Sequence, residues 1–260
     1  MKNPVKKILL LSIASIVFLT AYSQGKKRNS LYDQDLKGKV KSMVLRNYCP
    51  VKIVGGGEKW LEFTKQIHKY DESGNEIESI TYDIEGFMQN KNTSRNKYDE
   101  KGNLIEINSS DSILKYKRNV TITYNDNGYM TKIIQCGSGE GCFKGIYKYD
   151  EKNNMIEENV YDSINRLYDK SSYKYNDKGN EVEYNSYAEY GNLTQKHTFT
   201  YDQNGFMVED TQFDLHGILK NKQFFKYEGI DKNGNWIKKS KFSDIKQPPS
   251  SYDVREIEYY

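Results

Sequence analysis

The sequence predicts an all-β protein, an antiparallel meander of repeated β-hairpins that forms a curled, repeat-type sheet. Three observations carry this prediction. Near copies of one turn motif recur along the chain, the segments between them alternate apolar with polar residues, and 23 Tyr and 10 Phe supply most of the bulky side chains. A fixed repeat period of roughly 20 to 50 residues is typical of repeat architectures.

The repeat is anchored by a Tyr-Asp turn, here named the major corner, of which "YDEKGNLI" is one copy. Successive copies lie 28, 26, 25, 26, 26 and 26 residues apart. They begin at Tyr70, Tyr98, Tyr124, Tyr149, Tyr175, Tyr201 and Tyr227. Weaker copies, the minor corners, start 12 residues after a major corner, at Tyr82, Tyr161, Tyr187 and Phe213. Each repeat of about 26 residues therefore holds two strands, with major corners along one edge of the sheet and minor corners along the other.

Each corner has the chemistry of a tight hairpin turn. Asp or Asn after the tyrosine opens a type I turn by bonding its own backbone. Glycine three residues later, as in Asp99 and Gly102, adopts the left-handed conformation that closes a hairpin with a bulge. Asn153 replaces glycine in one copy, and Asn is the next residue to tolerate that conformation.

The strands alternate as a half-buried sheet requires, but unevenly. After a minor corner, Leu193, Phe199 and Tyr201 are separated by even numbers of residues, so they face the same side of the strand. This spacing predicts a strand with one buried face. After a major corner, Ile156 and Tyr161 lie five residues apart. A bulge would explain that spacing, and so would a strand whose two ends are apolar on opposite faces.

We expect one domain after an export signal. About fourteen strands exceed the roughly ten that an open twisted sheet sustains, so the sheet should curl or close. Residues 24–260 form the domain, with an N-terminal cap at 24–67, repeats at 68–240 and a C-terminal cap at 241–260. Residues 1–23, a basic start followed by "ILLLSIASIVFLTA", have the layout of a signal peptide cleaved after Ser23. A single N-terminal membrane anchor is the rival interpretation.

Export and charge restrict location and partners. The protein should be periplasmic, on the cell surface or secreted, and should not span the membrane once the signal is removed. The remaining chain balances 36 basic against 36 acidic residues. It therefore lacks the basic stripe that nucleic-acid binding needs.

The cysteines and histidines indicate structure more than chemistry. Cys136 and Cys142, in "CGSGEGC", could close a small disulfide loop or stay free, and Cys49 is left over. No zinc or EF-hand spacing occurs, so we expect no metal and no cofactor. The three histidines fall in different repeats, and we expect structural roles for them.

No catalytic residue stands out. Nearly every repeat carries equivalent carboxylates at its turn, and the turn itself accounts for them. No serine lies in a nucleophile-elbow motif. We therefore expect a protein that is not an enzyme.

The corners resemble the YD repeats of the RHS family, through Tyr98-Asp99 with Gly102-Asn103 and the equivalent residues of other copies. The resemblance covers roughly residues 68–240. It implies antiparallel hairpins in a long curled sheet, and roles in cell-surface contact, carbohydrate binding or toxin delivery. The chain carries no toxin domain after the repeats, so it is more similar to small exported YD-repeat-like proteins.

We therefore expect a non-catalytic binding module of the cell envelope, with a glycan as the leading ligand class. The speculative ligand-binding residues are a row of major-corner tyrosines whose rings could stack on sugars: Tyr98, Tyr124, Tyr149, Tyr175 and Tyr201. Alternatively these rings are core, and the protein is a structural scaffold or contacts another envelope protein. A glycan-acting hydrolase is the third alternative.

Overall fold

The computed structural model of the protein describes residues 29–53, 55–139, 141–188 and 190–260. The expected signal peptide, residues 1–23, lies outside these residues. The described chain forms a short helix α1, Ser30–Asp33, followed by sixteen β-strands. The strands are β1 Val40–Lys52, β2 Glu58–Tyr70, β3 Glu76–Tyr82, β4 Met88–Tyr98, β5 Leu104–Asp111, β6 Lys117–Tyr124, β7 Met130–Gly137, β8 Gly141–Tyr149, β9 Met155–Tyr161, β10 Leu167–Tyr175, β11 Glu181–Tyr187, β12 Leu193–Tyr201, β13 Met207–Phe213, β14 Leu219–Ile230, β15 Trp236–Phe242 and β16 Ser251–Tyr259.

The strands form one antiparallel meander that closes into a barrel. The predicted meander is confirmed. The sheet, which was expected to curl or close, closes into a barrel and does not form a curled open sheet. The first and last strands pair with each other, with Met43 opposite Ile257 and Leu45 opposite Arg255. Closure satisfies the backbone groups that two free sheet edges would expose. The two expected caps therefore meet as neighbouring strands.

The corner geometry follows the predicted mechanism. Asp99 Oδ1 accepts the backbone N–H groups of Lys101 at 3.0 Å and Asn103 at 2.7 Å. Gly102 has a φ of 75°, and Asn153 holds the equivalent place with a φ of 65°. The side-chain acceptor and the left-handed residue together reverse the chain within a few residues.

A bulge accompanies six of the seven major corners, those from Tyr70 to Tyr201. Lys174 pairs with Glu183, whereas the next residue, Tyr175, pairs with Glu181, so one extra residue is inserted between the two pairs. The insertion resets the inner and outer alternation by one residue. The bulge accounts for apolar residues that lie five positions apart, as Val182 and Tyr187 do. Of the two explanations offered for that spacing, the structure therefore favours the bulge.

The two faces of the wall differ sharply. Ser171 and Tyr173 of β10 are 3% and 6% exposed, whereas Lys174 beside them is exposed. Because a closed barrel shields its concave side from solvent, the alternate residues that are buried, such as Ser171 and Tyr173, lie on the inner face. The outer face carries charge pairs, as where Glu157 contacts Lys148 at 2.7 Å and Lys170 at 2.9 Å.

Major corners and minor corners occupy opposite ends of the barrel, here named the major rim and the minor rim. The segment before β1 lies against the major rim. Leu31 packs against Met43 and Tyr70, and its N–H donates to the carbonyl of Gly74 at 3.0 Å. This segment covers part of the major rim beside the pairing of β1 with β16.

Candidate functional site

The predicted tyrosine row lies on the inner face at the major rim, where its members Tyr98, Tyr124, Tyr149, Tyr175 and Tyr201 are half-buried. The hydroxyl groups point at the preceding repeat. Tyr124 donates to the carbonyl oxygen of Leu104, and Tyr149 to that of Met130, both at 2.7 Å. The row therefore ties each corner to its neighbour.

The first member of the row makes a different contact. The hydroxyl of Tyr98 donates to the carboxylate of Asp71 and accepts from the Asn75 side-chain amide at 3.0 Å. Burial, and then the hydrogen bond to Asp71, raise the pKa of Tyr98 to about 12. With hydroxyls engaged in this way, a ligand at this row could use only the ring faces. The sugar-stacking role of these residues stays a prediction.

A second group of residues, here named the seam cluster, lies on the inner face of the last three strands. Arg255 places its guanidinium carbon 3.5 Å from the ring centre of Trp236. Lys239 Nζ lies 5.0 Å from the Trp236 ring centre and 5.8 Å from that of Phe225. Asp253 Oδ2 is 3.4 Å from Lys239 Nζ. Two cations thus lie within a small aromatic cluster.

Two carboxylates, those of Asp253 and Asp35, lie near the two cations of the seam cluster. Burial lowers the pKa of Lys239, and lowers that of Arg255 to about 10. Arg255 is 6% exposed and donates to the carbonyl of Gln34 at 2.7 Å, but its Nε has no hydrogen-bond partner among the described residues. The Lys239 side chain remains 29% exposed. Lys239 therefore packs against aromatic rings and remains partly exposed, so its ammonium group can still be reached by an anion.

Part of the inner face towards the minor rim is polar. Amides and hydroxyls face each other across neighbouring strands, as in the pairs Ser186 with Gln195 and Gln212 with Asn221. A closed barrel of sixteen strands is wide enough to hold a water-filled lumen. These side chains would line such a lumen with hydrogen-bonding groups.

Two of the three histidines are engaged in short polar contacts. His197 Nδ1 lies 2.7 Å from Asp210 Oδ1, and its Nε2 lies 2.6 Å from the Gln195 amide. His68 Nδ1 lies 2.6 Å from Glu76 Oε2. Because both of its ring nitrogens are bonded, His197 links β12 to β13 and offers no free nitrogen as a base.

Cysteines and acidic groups form no metal centre within the described ranges. Cys136 and Cys142 are bonded, with their sulfurs 2.02 Å apart, and Cys49 is free. No set of three His, Cys, Asp or Glu side chains in the described part of the chain is grouped to hold a metal ion. No helix among those residues is both long and apolar enough to cross a membrane.

The sequence reasoning missed the seam cluster. Trp236 occupies the inner position directly after a major corner, where Leu104, Met130 and Met155 stand in other repeats. Comparing equivalent positions would have shown this departure. The contact between Trp236 and Arg255 could not be recognised from the neighbouring sequence, because it depends on where β16 lies in the closed barrel.

Comparison with solved structures supports the barrel. The chain is similar to a porin-like protein from Bacteroides uniformis, with a TM-score of 0.57, 10% identity, and coverage of 85% of this chain and 99% of that one. A porin-like protein from Bacteroides vulgatus aligns with a TM-score of 0.50, 12% identity and the same coverage. At these identities the likeness shows the fold alone.

The TcdB2-TccC3-TEV structure also aligns, with a TM-score of 0.34 and 16% identity over 79% of this chain and 12% of that one, which is too weak to carry an argument. No protein-family model and no curated protein matches the chain. The resemblance to YD repeats stays a prediction from the corner motifs.

Proposed function

We propose that the protein is an exported, non-catalytic binding module that takes an acidic glycan into its lumen. The observation that carries the proposal is the position of Lys239 on the inner face, where its Nζ lies 5.0 Å from the ring centre of Trp236 and its side chain remains 29% exposed, on a wall that also carries amides and hydroxyls. A carboxylate or sulfate group on a sugar would compensate this charge. The sugar hydroxyls would bond the polar inner face.

Desolvation makes Lys239 the favourable point of contact. A charge whose solvation has already been reduced by the fold loses less water when a ligand binds. Arg255 lies behind it and adds positive potential, and the carboxylates of Asp253 and Asp35 offset the pair. Neutral sugars lack the group that would gain from this arrangement, so acidic glycans should be preferred.

The test is a glycan array probed with purified protein, with acidic and neutral sugars compared. Lys239→Met should abolish binding to acidic glycans. Lys238→Met is the matched control, because Lys238 is the next residue but lies on the outer face, where it contacts Glu228 at 3.1 Å. Circular dichroism would verify that both variants are folded.

The outcomes separate this proposal from its alternative. Binding that survives Lys239→Met but is lost in Tyr175→Ala would place the ligand at the tyrosine row. Silence of the wild-type protein across the array would overturn the glycan proposal. A scaffold that contacts another envelope protein would then be the better account.

A further inference from the structure

The segment before β1, residues 29–39 and here named the strap, is fastened to the barrel close to Asp35. Leu36 is 7% exposed, and Asn235 is 1% exposed. The Asn235 side chain accepts the backbone N–H of Lys37 at 2.7 Å and donates to the carbonyl oxygen of the same residue at 2.9 Å. The main chain of the strap is therefore fixed directly after Asp35.

The strap places Asp35 against the seam cluster. Nη2 of Arg255 donates to the carbonyl of Gln34 at 2.7 Å, and its Nη1 donates to the carbonyl of Asp35 at 3.4 Å. The carboxylate of Asp35 lies against the indole N–H of Trp236 and close to the charged ends of Arg255 and Lys239. A carboxylate of the chain itself thus stands where the proposed function places the acidic group of a ligand.

Asp35 is the one of the two nearby carboxylates that can be displaced. The surrounding protein buries its carboxyl enough to raise the pKa, but the residue as a whole is exposed, so its side chain can turn away while the strap stays in place. Asp253 lies within β16, between two paired strands, and accepts a hydrogen bond from the Asn47 side-chain amide at 2.8 Å. Asp253 is therefore part of the wall, and Asp35 is not.

We propose that Asp35 is an internal competitor that occupies the anion position of the seam cluster until an acidic ligand replaces it. On binding, the carboxylate or sulfate of the ligand takes the place beside Lys239, and the Asp35 side chain turns into solvent. The inference rests on the proposed function for the identity of the ligand. Because apparent affinity falls with the fraction of protein whose site is free, Asp35 sets how tightly the barrel binds.

The experiment compares the wild-type protein with Asp35→Asn, which removes the charge and keeps the size of the side chain. The probes are sodium sulfate and glucuronate at constant ionic strength. The readout is the fluorescence of Trp236 in a Trp60→Phe background, since these are the two tryptophans of the chain. Asp35→Asn should tighten the apparent dissociation constant for both anions by about tenfold if Asp35 fills the site about nine-tenths of the time.

Two further variants control this comparison. Asp126→Asn makes the same change at an exposed corner of the major rim and should bind both anions as the wild-type protein does. Asp35→Gly is a second uncharged variant, because glycine accepts the left-handed backbone that Asp35 adopts with a φ of 50°. Circular dichroism would verify that each variant is folded, and Asp35→Gly should match Asp35→Asn in affinity.

The outcomes separate this inference from the proposed function. Tighter sulfate binding by Asp35→Asn, with no acidic glycan bound on the array, would uphold the competitor and overturn the glycan proposal alone. Unchanged affinity for both anions would overturn the inference, because Asp35 would then only anchor the strap. So would the lack of any response in both proteins. Adding Lys239→Met to Asp35→Asn should remove the gain, and a gain that persists would place the anion elsewhere and contradict the inference.

Discussion

The hydroxyl of Tyr175 donates a hydrogen bond of 2.7 Å to the main-chain carbonyl oxygen of Met155, one repeat earlier in the chain. Met155 stands at the register shift that follows its own corner, where the strand ladder is interrupted. Tyr227 makes the same contact with Met207 at 2.9 Å. The tyrosine that gives the repeat its signature thus satisfies a backbone acceptor that the bulge leaves outside the regular ladder.

Tyr175→Phe should therefore lower the free energy of unfolding by about 1–2 kcal/mol, because it keeps the ring but leaves a partly buried carbonyl without its donor. Urea denaturation would measure the change. Tyr190→Phe is the control, since Tyr190 is 86% exposed, and it should shift stability by less than about 0.5 kcal/mol. An unchanged midpoint for Tyr175→Phe would show that water replaces the hydroxyl.

The left-handed corner residue gives a second prediction. Gly102 has a φ of 75°, where a Cβ atom costs about 1–2 kcal/mol. Gly102→Ala should lose that amount in a denaturation experiment. Gly102→Asn should lose clearly less, because Asn153 already serves at this position with a φ of 65°. Equal losses would mean that side-chain volume, and not backbone conformation, limits the corner.

The corners and the meander could be predicted because their causes are local. Asp99 bonds amides two and four residues ahead, and Gly102 takes its conformation within the same turn. Because these contacts are local, each copy of the sequence motif forms the same turn. The opposite placement of major and minor corners follows from counting strands.

Closure and the seam cluster could not be predicted because their causes are distant. Leu45 pairs with Arg255 only when the two ends of the chain meet. In the sequence, Arg255 was one residue of a short terminal strand. Bulges added a further difficulty, because each one resets which parity faces inward. Because these bulges interrupt the two-residue alternation, the sequence did not show which residues face inward near each rim.

The disulfide gives a third prediction. Cys136 and Cys142 are six positions apart and join neighbouring strands β7 and β8. Closing so short a loop should contribute about 2 kcal/mol, which Cys136→Ser with Cys142→Ser would remove. Thermal denaturation would measure this.

Thiol titration of the denatured protein provides the check on this bond. One thiol, that of Cys49, should react before reduction, and all three cysteines should react afterwards. Three reactive thiols without reductant would contradict the bond. A stability unchanged in the double variant would show that the short loop is already ordered by its turn.

The outer charge pairs predict a specific dependence of stability on pH. Hydrogen bonds from Lys148 and Lys170 lower the pKa of Glu157 from 4.5 to about 2. Because the folded value lies below the unfolded one, this carboxylate stabilises the fold fully above pH 4.5. The contribution is lost as the pH falls from 4.5 towards 2.

Urea midpoints measured across that pH window would test the effect. The Gln side chain of Glu157→Gln does not gain a proton in acid, so the midpoint of this variant should fall less steeply with acid than that of the wild-type protein. Glu151→Gln, a change at an exposed corner tip, should keep the wild-type slope. The difference should shrink in high salt, since the pairs lie on the outer face. Identical slopes for wild type and Glu157→Gln would show that these lysines do not hold the carboxylate in solution.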